Sequence, residues 1–174
     1  ERPKHLDPVQ SYAENEYAFI ANIYQPPLQY HYLKRPYELI PFGAEEVPRP
    51  QYLDAAGKPL PETAPAEKVA FSEYVIRIKQ GVRYQPHPAL ALDETGRPRY
   101  HALTAADLRS IDTLADFRHS GSRELVAADY VHQIKRLAHP RLHSPILQLM
   151  TEYVVGLKEL ADTLAKVAAA LPDH

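Results

Sequence analysis

Apolar positions recur at two different spacings along this chain, and the changeovers mark its elements. From Tyr12 to Tyr24, Ala13, Tyr17, Ile20 and Tyr24 fall at helical intervals with Ile23 beside them, which predicts a helix. Pro26-Pro27 stops it, because a proline disfavours helical backbone in the residue before it. From Gln25 to Pro65 the chain is punctuated by prolines, with short apolar pieces at Leu39-Ile40 and Tyr52-Leu53. Aromatic and aliphatic residues continue throughout this stretch, so it reads as extended pieces and turns rather than disorder. Lys68 to Lys79 switches to alternation: Tyr74, Ile76 and Ile78 on one side, Val75, Arg77 and Lys79 on the other. That predicts a strand with one buried face, ended by Gly81.

The second half returns to helical spacing. Thr104 to Phe117 predicts a short helix, opened by Thr104 with Asp107 three residues on, as in a capping box. Leu125 to Ala138 predicts a longer one whose inward face is Ala127, Tyr130, Val131, Ile134 and Ala138. Lys135 and Arg136 lie near its end, where the helix dipole favours cations, and His139-Pro140 closes it. Ser144-Pro145 then opens a last helix, with Ser as cap and Pro at the first position. Its stripe of Leu147, Met150, Val154, Leu157, Ala161, Leu164, Ala168 and Leu171 predicts a core-facing side. The order of helix, extended pieces, strand and helices predicts a mixed α+β fold without the strict alternation of a doubly wound sheet. The chain is expected to form one body in three stretches: a helical opening over 1–30, an extended and β region over 31–100, and a helical region over 101–174.

One pattern occurs twice. Leu53-Asp54-Ala55-Ala56-Gly57-Lys58-Pro59 and Leu92-Asp93-Glu94-Thr95-Gly96-Arg97-Pro98 both read Leu-Asp-x-x-Gly-basic-Pro. The Asp suits a turn backbone and the Gly a positive φ. These are either two unrelated hairpin turns or parts of paired insertions lying side by side.

Composition narrows the chemistry. The chain has 174 residues, a formal net charge of −2, 12 tyrosines, 17 prolines and no cysteine. The charge gives no pull towards nucleic acid or an anionic membrane, so no nucleic-acid partner is expected. Lack of cysteine rules out disulfides, thiolate nucleophiles and zinc–thiolate sites. No apolar run is long enough to span a bilayer. His139 and His143 have the spacing of a metal-binding pair, but Pro140 places them in a connection rather than on a helix. The paired acids Glu45-Glu46 sit in a proline-rich stretch and read as solvated surface. Neither a Gly-x-Ser-x-Gly elbow nor a clustered glycine loop is present. Hence no metal, cofactor or enzymatic role is expected.

Three stretches, in order, resemble the family 5 extracellular solute-binding proteins, the dipeptide- and oligopeptide-binding components of ABC importers. Leu6-Asp7-Pro8, followed by a helix ending Asn22-Ile23-Tyr24, is similar to the family's opening, although Gln25-Pro26-Pro27-Leu28 replaces its usual Glu-Gly-Leu turn. Phe71-Ser72-Glu73-Tyr74-Val75-Ile76-Arg77-Ile78-Lys79-Gln80-Gly81-Val82-Arg83-Tyr84 resembles its signature strand, an alternating run followed by x-Gly-Val-basic-aromatic. Val126-Ala127-Ala128-Asp129-Tyr130-Val131, with Ile134-Lys135-Arg136-Leu137 and Pro140, resembles a family helix that normally begins with Thr rather than Val. Where the family has a short link, a long insertion separates Tyr84 from Val126.

The resemblance implies part of lobe 1 plus the accessory domain of a two-lobe periplasmic peptide-binding fold. It implies a peptide ligand captured between lobes, permease subunits as partners, and a periplasmic or extracytoplasmic location. Membrane association would then come only through the transporter or a removed anchor. Because the chain opens Glu1-Arg2-Pro3-Lys4, a leader is expected to have been removed. The segment after Leu6-Asp7-Pro8 would approach the cleft. Its candidate ligand-binding residues are Tyr12 as an aromatic wall, Glu14 as acceptor for a ligand amine, and Asn15 as an amide for backbone pairing. The same three residues also read as a hydrophobic staple, a first-turn acid and a helix cap. Two other functions stay open: an accessory protein-interaction domain without a small ligand, and a hydrolase.

Overall fold

The computed structural model describes residues 2–170 and shows a mixed α+β chain in two compact units. The first unit combines residues 1–78 with 127–174, and the second spans Lys79–Val126. Leu171, the last residue of the predicted stripe, lies outside the described residues.

In the first unit, helix α1 runs Glu14–Ile23 and the backbone N–H of Tyr24 closes its last turn onto Ile20. The apolar face read from sequence does not become a core face. Tyr17, Ile23 and Tyr24 are exposed, and the buried residue of the helix is Glu16. The proline-rich stretch holds strands β1 (Leu28–Tyr30) and β2 (Leu39–Pro41), paired antiparallel with Gln29 opposite Ile40. Strand β3 (Pro50–Leu53) pairs antiparallel with β4 (Phe71–Tyr74), Tyr52 opposite Ser72.

The strand predicted over Lys68–Lys79 is therefore shorter than the alternation suggests. A 3-10 turn occupies Ala66–Lys68, the ladder covers Phe71–Tyr74, and Ile78 rejoins the structure through an isolated bridge to Ala44. Neither face is buried: Phe71 through Tyr74, Val75 and Ile76 are all exposed. The sheet is two-stranded, and so narrow a ladder buries little of either face by itself.

Helix α2 (Ala127–Leu137) forms where the periodicity placed one, but turned about its axis. Val131 and Ile134 are exposed, while Tyr130, Gln133, Arg136, Leu137 and Ala138 are part-buried or buried. The turn is set by polar anchors. The Tyr130 hydroxyl donates to the Gln25 carbonyl at 2.8 Å, and Arg136 reaches Asp7. Gly43 leaves room for the tyrosine, since a Cβ there would stand 2.5 Å from the Tyr130 oxygen.

The last predicted helix is two helices. A 3-10 turn at Pro140–Leu142 precedes α3 (Leu147–Tyr153), and α4 follows over Leu157–Ala170. Gly156, at φ +83°, breaks the run between them. The stripe itself faces inward: Leu157 is buried, and Leu147, Met150, Val154, Ala161, Leu164 and Ala168 are part-buried. Ser144 does not cap α3. The N-cap is Ile146, without a side-chain bond, and the Ser144 hydroxyl is buried with no partner among the described residues.

The second unit is a loop closed at its base by two antiparallel runs. Leu125 N–H donates to Val82 O at 2.8 Å, Tyr84 N–H to Arg123 O at 3.0 Å, and His87 and Gly121 exchange backbone bonds at 2.9 and 3.1 Å. Gly121 is required there, because a Cβ would meet the Leu90 carbonyl oxygen at 2.1 Å. The long insertion marked by the resemblance lies within this unit. Instead of one short helix, Thr104–Phe117 forms two 3-10 turns, Asp107–Ser110 and Leu114–Asp116. The first keeps its capping pair: Asp107 Oδ2 accepts from the Thr104 N–H and hydroxyl, at 2.8 and 2.6 Å.

Both copies of the repeated pattern close the same hairpin, one in each unit. Asp54 Oδ1 accepts from the N–H groups of Ala56 and Lys58, and Asp93 Oδ1 from those of Thr95 and Arg97. Gly57 and Gly96 take φ of +77° and +80°, and Leu53–Pro59 and Leu92–Pro98 bridge the ends.

Candidate functional site

The segment leading into α1 is held by acids that sequence reasoning assigned no role. Asp7 begins a turn: its carbonyl accepts from Gln10 and Ser11 N–H at 3.0 Å each, and its Oδ1 from Val9 N–H at 3.1 Å. Pro8 suits this turn, and Val9 becomes fully buried. The Arg136 guanidinium grips the same carboxylate with both nitrogens, Nη1 on Oδ1 at 3.0 Å and Nη2 on Oδ2. This fork-on-fork geometry is the strong form of a charge-assisted pair. Partial burial raises the Asp7 pKa, but the Arg136 bonds and charge with the Val9 N–H outweigh it, so the carboxyl titrates below its ordinary value.

Glu16 is the second anchor. It is 3 % exposed and accepts from Lys4 N–H at 2.8 Å, His5 N–H at 3.0 Å and the Ser11 hydroxyl at 2.8 Å. The Ser11 and His5 bonds, against the opposing effect of burial, lower its pKa to about 2. A carboxylate is also favoured in the first turn of a helix. The clue in the sequence was an acid in the first turn, five residues after Ser11, with Asp7-Pro8 upstream.

These anchors leave the three predicted site residues on the surface. Tyr12 stands just before the helix, 80 % exposed; Glu14 is its first residue and Asn15 the second, both exposed. Tyr12 and Glu14, with Ser11, Ala13 and Tyr17, line an open hollow of about 310 Å³. Asn15 is not part of its lining. Glu14 is a first-turn acid, but the N-cap position belongs to Ala13 without any side-chain bond, so Asn15 does not cap the helix. The lining of the hollow includes one carboxylate, Glu14, and two phenol rings, Tyr12 and Tyr17. That suits an ammonium or a short polar chain lying across an aromatic surface.

A second open hollow of about 340 Å³ lies along β3, lined by residues including Arg49, Tyr52, Pro61 and Glu62. His139 accepts from Arg141 N–H at 3.3 Å within the connection, and His143 adopts φ +49°. No group of three or more His, Asp or Glu side chains able to hold a metal ion occurs among the described residues. No described helix is long and apolar enough to cross a membrane. No protein-family model matches the chain, no curated protein matches its sequence, and no solved structure matches its fold.

Proposed function

We propose that this chain is part of the substrate-binding component of an ABC-type importer for dipeptides or oligopeptides, acting outside the cytoplasm. The observation that carries the reading is the ordered run of three motifs, above all Phe71–Tyr84. The mixed α+β fold is compatible with part of a first lobe, and the hollow beside Tyr12 and Glu14 supplies chemistry suited to a peptide amine. In this mechanism two lobes close by a hinge over the peptide. Main-chain hydrogen bonds grip its backbone while wet, roomy pockets accept varied side chains. Glu14 would pair with the ligand ammonium and Tyr12 would cover its first residue, with Asn15 pairing to backbone nearby.

The test is titration of the complete protein with dipeptide and tripeptide mixtures by calorimetry. Binding is expected, weakened about tenfold by Glu14→Gln, roughly the loss of one charge-assisted bond. Residues 1–174 alone are expected not to bind tightly, since half the cleft would be missing. A complete protein that binds no peptide overturns the reading.

A specific observation favours a second reading, an accessory domain that binds protein. Tyr30, Tyr32, Leu33 and Tyr37 are between 67 % and 87 % exposed around the β1–β2 connection. The loop holding them is ordered by its own bonds: His31 Nδ1 accepts from Leu33 and Lys34 N–H, and Arg35 lies 4.3 Å over the Tyr37 ring. Rigid exposed aromatic residues are a common means of gripping a protein surface.

A further inference from the structure

Two kinds of side-chain acceptor hold turns in this chain. Carboxylates hold some of them: Asp93 takes the N–H groups of Thr95 and Arg97, Asp107 that of Thr104, and Asp116 that of Thr113. Imidazoles hold others. His87 Nδ1 accepts from Ala89 N–H at 3.1 Å, and His139 Nδ1 from Arg141 N–H at 3.3 Å. Each is the N-cap of a 3-10 turn, Pro88–Leu90 and Pro140–Leu142, with proline at the first position. Both stretches read His-Pro-x-Leu. In the β1–β2 connection, His31 Nδ1 takes two donors, Leu33 N–H at 3.2 Å and Lys34 N–H at 3.3 Å.

The two kinds differ in what acid does to them. An imidazole accepts at Nδ1 only when that nitrogen is bare, which puts the one ring proton of the neutral form on Nε2. A second proton goes to Nδ1 and leaves a donor aimed at an N–H group. Imidazoles as a class make this change between about pH 5 and 8. The carboxylates stay charged there. The Thr95 hydroxyl at Asp93, the Thr104 hydroxyl at Asp107 and the Thr113 N–H at Asp116 are the leading bonds that keep these carboxyls below their ordinary value.

The surrounding charges give a protonated ring little in exchange for the lost bond. His31 has Glu38 near it, but Lys34 Nζ already holds that carboxylate at 2.7 Å, and Arg35 follows in the connection. His87 lies in a run with Arg83, and the run paired to it through Gly121 carries Arg118, His119, Arg123 and Glu124. Glu124 Oε1 is taken by Gly81 N–H at 2.5 Å. His139 follows Lys135 and Arg136 of α2 and precedes Arg141 and His143. Helix α4, packed against its turn, brings Lys158, Glu159, Asp162 and Lys166, with Lys158 paired to Asp162. Cations outnumber acids in each set.

We propose that His31, His87 and His139 form an acid-released set of turns: neutral rings hold the three backbones, and protonated rings let them go while the aspartate-held turns stay closed. At His31 the release loosens the connection that displays Tyr32 and Leu33, so this exposed apolar surface is fixed at neutral pH and mobile in acid.

The test follows amide exchange of Leu33, Lys34, Ala89 and Arg141 by NMR from pH 7.5 to 5.0, divided by each amide's intrinsic rate, with imidazole nitrogen shifts reporting the tautomers. Expected are Nε2–H tautomers at pH 7.5 and a fall in protection of about fivefold at these amides across the range, the loss of one cap each. The amides of Thr95 and Thr104 should hold steady. An asparagine Oδ1 stands as many bonds from the backbone as Nδ1, caps well and does not titrate. His31→Asn, His87→Asn and His139→Asn should therefore keep their turns protected at both ends of the range. His31→Ala, His87→Ala and His139→Ala should leave them open at both. Nδ1–H tautomers at pH 7.5, protection that does not fall, an equal fall at Thr95 and Thr104, or asparagine variants that open in acid like the unaltered protein overturn the proposal.

Discussion

The segment entering α1 and the β3–β4 ladder are held in opposite ways. The first is polar and anchored: Glu16 gathers two backbone N–H groups and a hydroxyl, while Arg136 clasps Asp7 across 129 residues of sequence. The second carries the stronger apolar pattern, yet β4 is exposed along its whole length and β3 is only part-buried. The difference shows that a hydrophobic pattern stabilises an element only when another surface meets it, whereas a charge-assisted cluster needs only a few matched atoms at short range. Where the chain lacks an apolar partner, directed hydrogen bonds decide which backbone is fixed.

Substitutions can break this contrast. The largest effect is expected from Glu16→Ala, which leaves Lys4 N–H, His5 N–H and the Ser11 hydroxyl without their acceptor. Residues 4–11 should then exchange their amides at rates near those of an unfolded chain, while β3–β4 exchange stays as before. Acid should reproduce this in the unaltered protein. The Glu16 pKa is lowered from 4.5 to about 2, so its contribution is complete above pH 4.5 and is lost as pH falls from there towards 2. Exchange over residues 4–11, followed from pH 6 to 2, should rise beyond the intrinsic pH trend within that window. Unchanged protection at pH 2 would contradict the anchoring role.

Arg136→Met should come next. It keeps the aliphatic stem but strands the part-buried Asp7 carboxylate, at a cost of about 2 kcal/mol in urea unfolding. Asp7→Asn in the same background should recover part of the loss, because the uncompensated charge goes with it. The smallest effect is expected just beyond β4: Val75→Thr should alter stability in urea unfolding by less than about 0.5 kcal/mol, because Val75 is 62 % exposed. A cost above about 1 kcal/mol would contradict the contrast, because it would show this end of the ladder to be covered.

Much of the local structure was legible because its causes are local. The Asp54 and Asp93 hairpins, the Thr104–Asp107 cap and the inward stripe of α4 all follow from residues within a turn or two of one another. The start of α1 was legible for the same reason, to within two residues. Asn15, equally close in sequence, lies off the hollow because helical rotation carries it to another side.

The amino-acid sequence by itself determined the mixed α+β character, the proline-bounded elements, both repeated turns and the absence of cysteine chemistry. Only the tertiary structure decided which faces are covered. Periodicity assigned Tyr130, Val131 and Ile134 to the core; Tyr130 does turn inward, onto the Gln25 carbonyl, but Val131 and Ile134 are exposed and Arg136, drawn to Asp7, faces inward in their place. Periodicity likewise gave Phe71–Lys79 a buried face, which the two-stranded ladder does not provide. The reason is physical: spacing along a chain fixes which side chains share a face, but burial depends on a second surface whose position no local pattern encodes.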